Sequence, residues 1–181
     1  MNKALIVIDA QEDFTRGALR NEEAIKALPV IKKAVNYAME NFYYDIIYTM
    51  DTHYNEDYLK TQEGKNLPIP HCIVDTDGWQ VCPEVKHPNS IFYHINKNQF
   101  GTLSWKDHKW MKQLDEIWLC GFCTDICVMA NFQILKATFP EVPIIVIEDA
   151  CAGVTPELHE AALKVMKSCQ AQIKKLDELI V

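Results

Sequence analysis

Trp118-Leu119-Cys120-Gly121-Phe122-Cys123-Thr124-Asp125-Ile126-Cys127-Val128-Met129-Ala130 is the stretch on which the reading of this chain turns. The apolar run Ile117 to Cys120 predicts a short buried strand, Gly121 to Asp125 a tight turn, and the periodic segment from Cys127 a helix reaching about Thr138. Cys127 then sits in the first turn of a helix, where unpaired N–H groups and the positive end of the helix dipole favour a thiolate. Free cysteines usually behave as small buried hydrophobes, so position alone does not make this one a nucleophile. The Cys123/Cys127 spacing is C-x3-C, neither the C-x-x-C redox motif nor half of a usual zinc pattern.

Outward from that stretch, other segments repeat the strand-then-polar pattern. Ala4 to Ile8 is a continuous apolar run rich in β-branched residues that delivers Asp9 at its end, and Asp45 to Met50 is a second strand that ends on Asp51. Ser90 to Ile95 leads into Asn96-Lys97-Asn98, and Val142 to Ile147 ends on Glu148-Asp149. Helical spacing runs from Asn21 to Phe42, with Pro29 expected to bend or restart it. Ser104 to Leu114 reads as helical, Thr155-Pro156 caps a helix through Cys169, and Ala171 to Leu176 supplies a last strand. Strands alternating with helices predict an α/β protein: a Rossmann-like three-layer α/β/α sandwich with a central, mainly parallel six-stranded sheet, as a single domain over residues 1–181. Residues 51–90 form a long loop-rich insertion, more often functional than not.

Composition narrows the function classes. The chain is 49% hydrophobic and 24% charged, as in an ordinary soluble globular protein. A net charge of −7 and a pI near 5.3 argue against nucleic acid or an anionic membrane surface as partner. Seven cysteines, an odd number without a framework of spacings, point to the reducing cytoplasm. The N-terminal apolar run is too short for a signal peptide or a membrane span.

In a parallel sheet, ligands bind beyond the carboxyl ends of the strands. Asp9, Asp51, Lys97 and Cys127 all follow a strand end, so one crevice collects carboxylate, ammonium and thiol. The lysine is expected to lower the pKa of both neighbours while the carboxylate shuttles a proton, a Cys/Asp/Lys device for acyl transfer. A second constellation is Asp51-Thr52-His53. Period two in an extended segment sends Asp51 and His53 to the same side, His71 in Pro70-His71-Cys72 makes a third ligand, and Glu63 or Asp57 a fourth. Such a set suits a divalent metal, zinc foremost, with iron and manganese as alternatives.

These residues carry a resemblance. The chain resembles the isochorismatase-like cysteine hydrolase superfamily and, within it, the nicotinamidase/pyrazinamidase-related branch. Asp9-Ala10-Gln11-Glu12-Asp13-Phe14 is similar to the family's D-x-Q-x-D-F, Asp51-Thr52-His53 to its D-x-H, and Pro70-His71-Cys72 to its P-H-C. Lys97-Asn98-Gln99-Phe100 is similar to its K-x-x-F, and Gly121 to Val128 contains its T-D-x-C-V. The resemblance implies a catalytic triad of Asp9, Lys97 and Cys127. It implies a cis peptide bond between Phe122 and Cys123, with the backbone N–H groups of Cys123 and Cys127 as oxyanion hole. It also implies a metal set of Asp51, His53, Glu63 and His71, and a homo-oligomer.

The activity implied is hydrolysis of a small amide, nicotinamide first, through a Cys thioester. Isochorismatase-type or carbamoyl hydrolases are the alternatives within the superfamily; the isochorismatase type generally lacks the metal loop. A redox or metal-binding protein using Cys123 and Cys127 is the alternative outside it. One feature departs from the nicotinamidase pattern: Pro68 stands where an aromatic residue usually precedes the His-Cys pair by three positions. Phe14 is expected as one wall for the substrate and Trp79 as the other.

Overall fold

A computed structural model describes residues 2–41, 46–86 and 93–180. Its centre is a six-stranded sheet, parallel throughout, of β1 (Lys3–Ile8), β2 (Ile46–Asp51), β3 (Tyr93–Lys97), β4 (Glu116–Phe122), β5 (Ile144–Ala152) and β6 (Gln172–Lys174). The spatial order is β3-β2-β1-β4-β5-β6. Every residue of β2 is buried, as are all but the first of β1 and of β4, which is why these strands read as unbroken apolar runs rather than as alternations. Crossovers run one way from β1 to β3 and the other way from β4 to β6, so right-handed connections put helices on both faces. The reversal lies between β1 and β4, where open parallel sheets leave a crevice at their carboxyl end.

Helix α1 (Glu22–Asn41) packs on β1, β2, β4 and β5. Pro29 neither ends nor restarts it. Pro29 is exposed, and the buried stripe Ala24, Ala27, Leu28, Ile31, Ala34, Val35 and Ala38 binds the helix to the sheet on both sides of the missing N–H. Helices α3 (Met129–Thr138) and α4 (Pro156–Ser168) pack against each other, and a five-residue helix, α2 (Gln62–Asn66), interrupts the long insertion.

Several boundaries differ from the sequence reading for physical reasons. β4 continues through Gly121 and Phe122 because Gly121, at φ 120°, lets β4 approach β1: a Cβ there would stand 2.0 Å from Ile8 O. β5 continues past Glu148-Asp149 to Ala152, with a register irregularity against β4 between Leu119 and Gly121. Ser104 to Leu114 is two short 3-10 segments, Leu103–Asp107 and Lys109–Gln113, parted at His108 and anchored by buried Trp105 and Met111. The expected starts of strands at Asp45 and Ser90, and the helix end at Phe42, lie outside the described residues. Among the described residues no helix is long and apolar enough to cross a membrane.

Candidate active site

Four neighbouring strands deliver the site. β1 ends just before Asp9, β2 ends on Asp51, β3 ends on Lys97, and β4 leads through Cys123 to Cys127. Asp9 is fully buried at φ 46°. Its N–H donates to Thr49 O at 3.2 Å, and Thr49 Oγ1 donates to its Oδ1 at 2.6 Å. Lys97 Nζ lies 2.6 Å from Asp9 Oδ2, 3.6 Å from Asp51 Oδ1 and 3.6 Å from Cys127 Sγ, and donates to Gln99 O at 3.0 Å. Ammonium, carboxylate and thiol therefore meet as the strand-end reading expects.

Cys127 stands in a π-type turn, Thr124–Val128, rather than in regular helix. The Phe122–Cys123 peptide bond is cis. Ile126 N–H and Val128 N–H both donate to Cys123 O, at 3.1 and 3.0 Å, so the amides on either side of Cys127 are engaged away from its thiol. Cys127 itself lies within this turn, Thr124–Val128.

The electrostatics correct one expectation. Burial pushes the Cys127 thiol well above its usual range, and Asp9 pushes the same way, against Lys97. The group is a resting thiol, because the cost of a buried thiolate exceeds what one ammonium and a helix start return. Burial also raises the Asp9 carboxyl, although Lys97 opposes it. Asp9 is accordingly a stronger base than a solvated carboxylate. Burial alone would lower Lys97, but Asp9, with Asp51 further off, holds it raised and charged.

Beside this trio, Asp51 Oδ2 is 2.9 Å from His53 Nε2 and 3.3 Å from His71 Nε2, and Glu63 Oε1 is 3.8 and 3.5 Å from the same nitrogens. The four donor atoms lie within 4.8 Å of one another. His71 Nδ1 lies 2.9 Å from Ile69 O and donates to it, which turns Nε2 toward the cluster. Two imidazoles and two carboxylates in a pocket fit a borderline divalent cation. Burial would lower His71, yet Asp51, Glu63 and Ile69 O hold it up to about 10. Burial would raise Asp51, but His53, His71 and Lys97 bring it below the usual carboxylate range. Both shifts are those of an anionic cluster that favours a positive charge at its centre. Asp57 is not in the group: it is exposed and 3.0 Å from Lys60.

One cavity of about 1320 Å³ reaches both clusters, and Phe14, Tyr54, Leu67, Phe100, Ile126 and Val154 contribute apolar wall. Phe14 is placed as the sequence expects, edge-on to His71 with centroids 6.1 Å apart. Trp79 is not. Its indole Nε1 donates to Thr52 Oγ1 at 2.9 Å and its carbonyl accepts from Gln11 Nε2 at 2.8 Å, so it braces the Asp51 segment outside the cavity.

Two positioning residues stood in the quoted motifs without a role. Buried Gln11 accepts from Asp51 N–H at 2.7 Å and donates to Asp51 O at 2.9 Å, which fixes the strand end that carries the shared carboxylate. Asp13 accepts from Cys72 N–H at 2.6 Å and Ala18 N–H at 3.0 Å, tying the His71 loop to the opening loop. Gly17 and Gly78 leave room for its carboxylate, since a Cβ at either would fall 2.0 or 2.3 Å from an Asp13 oxygen. The D-x-Q-x-D-F spacing was the signal for both.

A family model described as the isochorismatase domain matches residues 3–178. The structure resembles that of nicotinamidase/pyrazinamidase PncA from Bacillus subtilis, at 28% identity over 97% of this chain and 100% of that one, with a TM-score of 0.83. It also resembles the pyrazinamidase of Pyrococcus horikoshii in complex with zinc, at 25% identity over 97% and 100% of the two chains, with a TM-score of 0.81. N-carbamoylsarcosine amidase from Thermoplasma acidophilum is similar at 25% identity over 97% and 96%, with a TM-score of 0.75. Among curated proteins no sequence matches.

Proposed function

The chain belongs to the isochorismatase family of hydrolases, and from that premise we propose that it is a metal-containing cysteine amidohydrolase of small amides, with nicotinamide, cleaved to nicotinate and ammonia, as the leading substrate. The observation that carries this reading is the shared cavity: Cys127 and the Asp51/His53/Glu63/His71 set open onto the same space, while Lys97 spans from Cys127 Sγ to Asp51.

In the proposed mechanism Asp9 takes the Cys127 proton as substrate enters, and the thiolate attacks the amide carbonyl carbon. The tetrahedral oxyanion accepts hydrogen bonds from the N–H groups of Cys123 and Cys127. Asp9 returns the proton to the nitrogen, the C–N bond breaks, and ammonia leaves a Cys127 thioester. Asp9 then draws a proton from water as its oxygen attacks the thioester carbonyl, releasing the carboxylic acid and the thiol. Lys97 stays protonated throughout and balances whichever of Asp9 and Cys127 is anionic. Asp51, His53, Glu63 and His71 would hold the divalent ion, which supplies a Lewis-acid anchor for an electron-pair donor on the substrate such as a pyridine nitrogen.

A carbamoyl or other small-amide hydrolase is the second reading. It is favoured by Trp79 lying outside the cavity and by Pro68 standing where an aromatic residue is expected. A Cys123/Cys127 dithiol is disfavoured because burial, with Asp125 and Asp9, pushes the Cys123 thiol up to about 12.

Ammonia release from nicotinamide by the wild type and by Cys127→Ala, alongside metal analysis, tests the reading. Release by the wild type alone supports the amidase and its nucleophile. A metal-loaded but inactive wild type moves the substrate to another amide, and a protein that takes up no metal removes the ligand assignment.

A further inference from the structure

Asn131, on α3, is fully buried, and all four hydrogen-bonding positions of its amide are used. Its Nδ2 donates to Cys127 O at 2.8 Å and to Phe100 O at 3.1 Å. Its Oδ1 accepts from Trp105 Nε1 at 2.9 Å and from Thr102 N–H at 3.2 Å. One side chain thus joins the turn that carries the nucleophile to the segment Phe100–Trp105. Gln99 O, one residue before Phe100, is the carbonyl that Lys97 Nζ donates to. Cys127 and Lys97 come from strands separated by two others in the sheet, and no backbone ladder joins β3 to β4. Their 3.6 Å approach depends on side-chain connections across the crevice. A buried amide with every partner met is rigid, and removing it leaves several polar groups unsatisfied.

We propose that Asn131 is a positioning residue that fixes the Lys97–Phe100 segment against the Cys127 turn and so sets the thiol–ammonium distance. The inference rests on Cys127 being the nucleophile, and it adds that the alignment of nucleophile and ammonium depends on a single amide on α3. An opposite role, support of α3 alone, would need only the Cys127 O bond, which lies within the helix start.

Three variants separate these roles. Asn131→Leu keeps the approximate shape and loses all four bonds. Asn131→Thr offers a hydroxyl that reaches back to the carbonyl four residues earlier, restoring the bond to Cys127 O and not the one to Phe100 O. Trp105→Phe removes one bond to the same amide and leaves both Nδ2 donations, serving as a stability control. The readouts are kcat and KM for nicotinamide, the rate at which iodoacetamide alkylates Cys127 at fixed pH, located by mass spectrometry, and the thermal midpoint.

Asn131→Leu and Asn131→Thr are expected to lose about 100-fold in kcat with KM nearly unchanged, as for a misplacement of about 1 Å. Alkylation is expected to slow roughly tenfold as the ammonium withdraws from the sulfur. Trp105→Phe is expected to lower the thermal midpoint and keep most of kcat. Full activity in folded Asn131→Thr would overturn the proposal, as would losses in all three variants that follow the thermal midpoint alone. Should Asn131→Leu not fold, Asn131→Thr against Trp105→Phe decides by itself. If wild-type Cys127 is neither alkylated nor required for ammonia release, the amidase reading fails instead, and the two failures are distinguishable.

Discussion

The two halves of the site are built in different ways. Asp9 directly follows β1, Lys97 ends β3, and Cys127 lies in the turn that follows β4. The metal-ligand set takes only Asp51 from the sheet; His53 follows β2, Glu63 sits on a five-residue helix, and His71 comes from irregular chain. The first half rests on strand ends, with one side-chain tie, Asn131, across the crevice; the second depends on side-chain ties throughout, such as Asp13 to Cys72 N–H and Gln11 to Asp51. Placement by a sheet tolerates changes in loops. Placement by ties is as strong as the weakest buried hydrogen bond. The halves meet where Lys97 lies 3.6 Å from Asp51.

The largest test of that division is Cys127→Ala, expected to lower amide turnover by at least about 10⁴-fold while metal stoichiometry stays at the wild-type level. Metal lost together with the thiol, by elemental analysis, would mean the halves are one unit. Next, His71→Ala is expected to weaken metal affinity by at least about 100-fold, more than loss of a residue that only supports a ligand, and chelation to strip the ion; each should remove amidase activity in proportion to the metal lost. Alkylation of Cys127 should change less than about twofold, since Lys97 and Asp9 remain beside the sulfur; a large change there would break the comparison from the other side. Asp13→Asn leaves Cys72 N–H and Ala18 N–H poorly met and is expected to lower metal affinity by about tenfold, with kcat at saturating metal nearly intact. Smallest is Trp79→Phe, expected to cost about 1 kcal/mol of stability through the lost bond to Thr52 and to leave KM for nicotinamide unchanged. A rise in KM without loss of stability would return Trp79 to the substrate wall.

How far the chain could be read follows the same division. The ends of β1, β2 and β4 were legible because burial on both faces makes apolar runs conspicuous and a parallel sheet sends their ends to one edge; β3, mostly exposed at the sheet edge, was the weaker signal. Asp51 and His53 were legible because an extended period of two is local. Trp79 was misplaced because its partner, Thr52, is reached only after the chain folds back, so spacing carries no record of it. Asn131 gave no signal, since a polar residue within an apolar helix start looks the same whether it faces solvent or four buried partners.

The sequence by itself determined the order of elements, the parallel sheet, and the residue types at each strand end, because these rest on local periodicity and on the hydrophobic contrast between core and surface. Tertiary structure alone decided which side chains meet: Glu63 rather than Asp57 beside the histidines, and Asn131 across the crevice between Cys127 and Phe100. It also decided the protonation of the nucleophile. A pKa is a sum over everything that surrounds a group in three dimensions, and here burial of Cys127 outweighs the neighbouring ammonium that spacing alone had placed beside it.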